Sequence, residues 1–293
     1  MSSATSLSNS RPAAAAAVRS PASGVLEMTL RRRGERTVVH DCYSRVPLQV
    51  LRPVYLDDTG TAYMYLLNPC GGVLGGDTYQ ITVALEADAH AYLTTPSATR
   101  LYAAPGAATR QQLEFTLAGR AVLAYIPGQT IPFANAAFQQ HLRLRLGQHA
   151  WAFVGEIVAP GRWACGECFM YREYCSEVRI ETTEGRILLL ERTRLQPSRQ
   201  KLAAAGLLEG YRYLGTFYAL GTGKALPDSL VEHVHLLLAG QQHLTGGATL
   251  LEAGGLAVRW LGMEHNHMSH VMYAVWDVLR RHVLGYPAVP CRT

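Results

Sequence analysis

The chain has 293 residues, 48% of them hydrophobic, with a formal net charge of +5 and six cysteines. That size supports one large domain with a sizeable core. No apolar run approaches the roughly 18 residues that cross a bilayer, and the basic residues are scattered apart from Arg31-Arg32-Arg33 and Arg36, so neither a membrane nor a nucleic acid is expected as a partner.

In chain order, residues 1–23 carry seven Ser and seven Ala with two Arg and no acid, which reads as a disordered extension ahead of a single domain over 24–293. The run Ala13–Val18 is too short for a signal-peptide core. Six cysteines without an export signal fit reduced thiols, and the expected location is the cytoplasm.

Residues 68–77, Asn-Pro-Cys-Gly-Gly-Val-Leu-Gly-Gly-Asp, hold four glycines and a proline in ten positions. Neither a helix nor a regular central strand tolerates that composition, so a shaped loop is expected, one that lets backbone approach a ligand or another backbone closely. Asp77 leaves a carboxylate beside its amides.

Period-two alternation follows: Ile81, Val83 and Leu85; Leu113, Phe115 and Leu117; Leu142, Leu144 and Leu146; Val178 and Ile180, each set interleaved with polar residues. These are half-buried strands. Segments 85–93, 117–125 and 146–154 also repeat a pattern of strand, three-residue polar turn and strand, with leading leucines 32 and 29 residues apart. A strand repeat near 30 residues predicts coils stacked on one another, a mainly β, solenoid-like architecture of stacked sheets. Aligning the repeats sets Thr94-Thr95, Ile126-Pro127 and Gly155-Glu156 in equivalent places, with Gln129 and Thr130 close by. Hydroxyl, amide and carboxylate oxygens in a row suit exchange of a divalent cation, and they equally suit the capping of turns.

Two α-helices are expected. One lies near 197–209, rich in strong helix formers. The other lies near 267–284, where Met268, Val271, Met272, Val275, Trp276 and Leu279 form an apolar stripe that either packs on the β-core or faces a partner. Gly285 ends it. Of the histidines before it, only His267 and His270 share a face, as weak metal candidates or as solvated helix-start residues. Cys165 and Cys168 form a single CxxC to which Cys175 adds a third thiol; without a second pair at zinc spacing they read as structural cysteines. No phosphate loop, nucleophile elbow or HExxH occurs, so no catalytic residue is expected and nucleotide hydrolysis would belong to a partner.

Four motifs in one order, residues 68–77, 94–100 (TTPSATR), 127–131 (PGQTI) and 156–167 (EIVAPGRWACGE), resemble the urease accessory protein family UreD, also called UreH. The resemblance runs from about Gly24 to Arg292. It departs where the family usually has a glutamate and this chain has Gln129, and where an aspartate-glycine pair is expected near Ala134-Asn135. The Trp common near the family's C-terminus is also missing. The resemblance implies a mostly β fold with two helices and an internal passage for nickel toward urease. It implies apo-urease, an F-type scaffold and a G-type GTPase as partners, and nickel in transit rather than a resident cofactor. Carried over by motif position, Asp77, Thr94, Thr95, Glu156 and Glu167 are the transit candidates, with Arg162 pairing a carboxylate at that corner. Two rival readings are a cupin-like metal enzyme, which needs His-x-His and Glu in strands, and a β-solenoid that binds protein without handling metal.

Overall fold

Among the residues described, 23–289 of a computed structural model, seventeen strands and two α-helices follow one another. The first strands are β1 Ser23–Arg33, β2 Arg36–Arg45, β3 Gln49–Val50, β4 Ala62–Leu67, β5 Thr78–Leu85, β6 His90–Thr94, β7 Thr99–Leu101 and β8 Thr109–Leu117. They continue as β9 Val122–Tyr125, β10 Thr130–Pro132, β11 Ala137–Leu146, β12 Trp151–Val158, β13 Glu173–Thr182, β14 Ile187–Leu195 and β15 Tyr213–Gly221. Helix α1 Asp228–Ala239, strands β16 Leu244–Leu250 and β17 Leu256–Gly262, and helix α2 His265–Leu284 complete the order. The Ala/Ser-rich extension up to residue 22, and Cys291 near the C-terminus, lie outside the described residues.

The strands form two stacked sheets. The first runs β14-β13-β11-β8-β5-β1-β2, and the second β16-β17-β15-β12-β9-β6-β4-β3 with β7 and β10 attached at its side. From β4 to β13 the chain alternates between the sheets, and the strands it leaves in each are parallel and in register. This is the solenoid predicted from the repeat. Leu30, Leu85, Leu117 and Leu146 stand side by side. After each of the last three the chain turns through a left-handed residue, Asp88, Arg120 or His149, at φ 62°, 59° and 59°. The alanine that follows, Ala89, Ala121 or Ala150, is fully buried. Each turn leans on the next, since Asp88 N–H donates to Gly119 O and Arg120 N–H to Gln148 O. Hydrogen bonds between coils thus offset the roughly 1–2 kcal/mol that a left-handed non-glycine residue costs.

The alternating residues named from sequence all face inward and are buried. They meet Leu93, Leu123, Ala152 and Val154 of the second sheet in one core. A second core lies on that sheet's outer side, where α1 and α2 pack. In it Met268, Val271, Met272, Val275, Trp276 and Leu279 are all buried, and Trp276 touches Phe153 at 4.8 Å and Tyr92 at 6.1 Å between ring centroids. The apolar stripe therefore packs on the β-core and is not an open partner surface. Close approach depends on Gly155, where a Cβ would sit 2.6 Å from Met272 Sδ.

The helix expected near 197–209 is not there. Those residues form a string of turns, because Gly206, Glu209 and Gly210 hold φ of 76°, 49° and 84°, which no right-handed helix accepts. Leu202 and Leu208 anchor the turns in the inter-sheet core instead. The second helix is α1, whose Leu230, Val234 and Leu238 recur at i, i+4 and i+8 on its buried face.

The last helix is tied to the early chain by an ion pair. Arg280, 1% exposed, lies 2.7 Å from Asp57, 223 residues away in sequence, and also donates to Pro287 O. Asp57 accepts from Tyr63 Oη at 2.8 Å as well. Burial opposes its ionised form, but hydrogen bonds from Thr59, Arg280 and Tyr63 outweigh it and hold the carboxyl below its ordinary range.

Packing of the stripe sets the expected mutational contrast. Trp276→Ala should destabilise the fold by about 3–5 kcal/mol. Leu236→Ala on α1, at 74% exposure, should change stability by less than about 0.5 kcal/mol. Urea denaturation of both variants checks this, and equal effects would refute the packing.

Candidate functional site

A cavity of about 140 Å³ lies between the two sheets and opens beside two loops. One loop is the glycine-rich segment before β5. Gly72 and Gly75 leave no room for side chains, since a Cβ at each would fall 2.6 Å from Arg100 O and 2.4 Å from Ala104 Cα. Close approach of backbone to backbone is the reading the composition supported. The other loop is Thr95–Arg100. Thr95 Oγ1 accepts from Gly128 N–H at 2.9 Å and donates to Ser97 O at 2.8 Å, so it locks this loop to the next coil.

Strand β12 supplies the site's main group. Ala152, Val154 and Val158 point into the inter-sheet core while Phe153 and Ile157 point toward α2. Glu156 shares the inward parity, and it is the one carboxylate among the described residues lining the cavity. Its Oε1 accepts from Gln140 Nε2 on β11 at 3.0 Å and from Tyr174 Oη on β13 at 2.5 Å, both on the opposite sheet. Gln140 Nε2 also donates to Ser176 Oγ at 3.2 Å. Burial pushes the Glu156 carboxyl up, and the hydrogen bonds from Tyr174, Gln140 and Ser176 offset only part of that. Burial, with the Glu156 charge beside it, holds the Tyr174 phenol well above its ordinary value. Thr216 and Tyr218 of β15 complete the polar end.

The other expected site residues fall in different places. Thr95 does share the corner with Glu156, because β6, β9 and β12 pair in register through Leu93, Tyr125 and Val154, and the next two positions of each chain follow. Thr94 is 1% exposed, pairs with Tyr65 of β4 and turns its hydroxyl to Thr95 O at 3.5 Å. Asp77 closes its own turn: Oδ2 accepts from Leu74 N–H at 3.0 Å and from Tyr79 Oη at 2.7 Å, which makes it a buckle for the glycine loop. Glu167 stands outside the cavity. Both its oxygens are held by Arg162 and one also by Ala134 N–H, so the guanidinium keeps this carboxyl below its usual range. The expected pairing of Arg162 holds, and it leaves Glu167 a corner clamp. Arg162 also lies 4.4 Å over the Phe133 ring.

Gln129 and His265 line a separate hollow of about 110 Å³ against α2, and Gln129 Oε1 is buried there without a hydrogen-bond partner. His270 is exposed, and His267 Nδ1 is buried without a partner. Among the described residues no three His, Cys, Asp or Glu side chains cluster to hold a metal ion, and Cys165, Cys168 and Cys175 are free. Gln140 and Tyr174 were not anticipated. Their signal was available, since both sit at core-facing positions of strands whose inward set includes Leu142, Leu144, Val178 and Ile180.

Comparison with known proteins decides the family. A family model described as UreD urease accessory protein matches residues 22–293. The chain belongs to the UreD family. It is 33% identical to the urease accessory protein UreD of Cenarchaeum symbiosum over 275 residues, covering 90% of this chain and 94% of that protein. It is 36% identical to the UreD of Herpetosiphon aurantiacus, covering 89% and 91% of the two chains. The UreD of Actinomyces naeslundii is 33% identical, with 92% and 98% covered. UreD proteins are accessory factors, so the chain is a urease maturation factor and not an enzyme, which sets aside the cupin-like reading. No helix among the described residues is long and apolar enough to cross a membrane.

The Glu156 carboxyl makes a pH prediction. A carboxyl whose folded-state pKa lies above its unfolded value of about 4.3 binds its proton preferentially in the folded chain. Its contribution to stability is complete below that unfolded value and is lost as pH rises through the folded one. Glu156→Gln, neutral at every pH, should therefore melt at a higher temperature than wild type at pH 8, with the gap closing toward pH 4. Calorimetry across that range checks it, and a constant gap would show that folding does not raise the Glu156 carboxyl.

Proposed function

We propose that the inter-sheet cavity is a transit route for nickel entering apo-urease, and that the chain works in a complex with an F-type scaffold and a G-type GTPase. The observation that carries this reading is a single carboxylate, Glu156, lining a cavity whose mouth opens at Thr95–Arg100 and the glycine loop. A single carboxyl attracts a dication without trapping it, because permanent sites for borderline metals use several N, S or O ligands. Phenol, amide and hydroxyl oxygens around it replace part of the cation's water shell. Asp77, Thr94 and Glu167 act in this reading by shaping the mouth and its corner. The chain works in the cytoplasm, and nickel is cargo with no resident cofactor.

The test is urease activation in cells lacking this protein, complemented with wild type, Glu156→Ala or Glu156→Gln. Both variants should still co-purify with apo-urease, while nickel content and activity of the urease fall about tenfold or more, on the order of the local enrichment one charge provides. Full nickel loading by both variants would favour the alternative of a β-solenoid that binds protein and handles no metal.

A further inference from the structure

The hydrogen bonds that Gln140 and Tyr174 donate to Glu156 reach it from across the inter-sheet gap and land on the same oxygen. Tyr174 is fully buried, whereas Glu156 keeps accessible surface toward the cavity, so the carboxyl fronts the chamber and the phenol backs it. The Tyr174 ring is stacked on Phe138 with centroids 5.8 Å apart and planes at 25°, which leaves its hydroxyl one direction in which to point. Gln140 is restrained in the same way by its second bond to Ser176 Oγ. A phenol that stays protonated far above neutral pH is a constant donor.

We propose that Tyr174 and Gln140 are positioning residues for cation transit: they pin Oε1 of Glu156 so that the rest of the carboxyl group stays turned into the cavity. The inference rests on reading the cavity as a nickel route. Its physical basis is the freedom of a glutamate side chain, whose immobilisation has an entropic cost. Prior fixation by two donors on a rigid sheet removes that cost from the encounter with the cation. Oε1, already saturated with donors, is left as the anchor, and the cation meets the opposite side of the group.

Tyr174→Phe deletes one oxygen and keeps the stacked ring. The measurement is urease activation against nickel concentration, with the complete set of accessory proteins and apo-urease. In this variant the half-activating nickel concentration should rise about tenfold, the plateau at saturating nickel should match wild type, and co-purification with apo-urease should persist. Gln140→Met, at a half-buried position, should shift the curve in the same direction and serves as the second probe if Tyr174→Phe folds poorly. A wild-type curve for both variants overturns the inference, as does a lowered plateau accompanied by a lowered melting temperature, which marks a structural role only. Glu156→Gln separates the two levels. If it shifts the curve while Tyr174→Phe and Gln140→Met do not, positioning fails and transit stands; if it too is silent, the transit reading itself fails.

Discussion

In-register parallel pairing of one coil on the next is the constraint from which the rest of the molecule follows. Because side chains alternate with a period of two, a slip of one residue in β12 would turn Glu156 out toward α2 and Phe153 into the inter-sheet core. The leucine rungs and the left-handed turns after Leu85, Leu117 and Leu146 oppose such a slip, since each turn bonds to its neighbour at a defined height. With strands about 4.8 Å apart, register also decides that Thr95 and Glu156 sit two rungs from each other on one corner.

A carboxyl between two sheets is costly unless it is paired, hydrogen-bonded or neutral. Here the opposite sheet supplies two donors, and burial favours the proton. The polar groups gather at one end of the chamber, around Gln140, Glu156 and Tyr174, while the interior near the leucine rungs is apolar. Stability thus comes from the apolar end, and the polar end is released to carry chemistry. The glycine loop serves the polar end, because its backbone packs so tightly on the coil at Arg100 and Ala104 that it defines the mouth without side chains.

Much of this architecture was legible in the sequence. Alternation around Leu85, Leu117 and Leu146 gave the strands and their stacking, because inward parity is a property of spacing alone. Among the described residues, the CxxC and the histidines at the start of α2 do not assemble into a metal site. Propensity misled at 197–209, where alanines and leucines suggest a helix but Gly206 and Gly210 take left-handed conformations and two leucines are drawn into the core. Helix α1 was missed although Leu230, Val234 and Leu238 mark one face between Asp228 and Gly240. Glu167 looked like a passage ligand because a motif contained it; its partner Arg162, five residues away, claims both oxygens, and only geometry reveals that. Gln140 and Tyr174 needed the opposite question, which inward positions are not apolar, and extending the strand patterns backward by one or two steps answers it.

The buried pair of Asp57 and Arg280 bears on how the molecule is born. Its members are separated by 223 residues, so a ribosome working at about 5–20 residues per second needs some ten to forty-five seconds between them. Throughout that interval the solenoid can stack coil by coil, yet its second sheet lacks the helix that covers Phe153 and Trp260, and Asp57 has no guanidinium. Helix α2 therefore acts as a seal, and a nascent chain of this protein exposes the sheet that α2 will cover until residues 265–284 have left the exit tunnel.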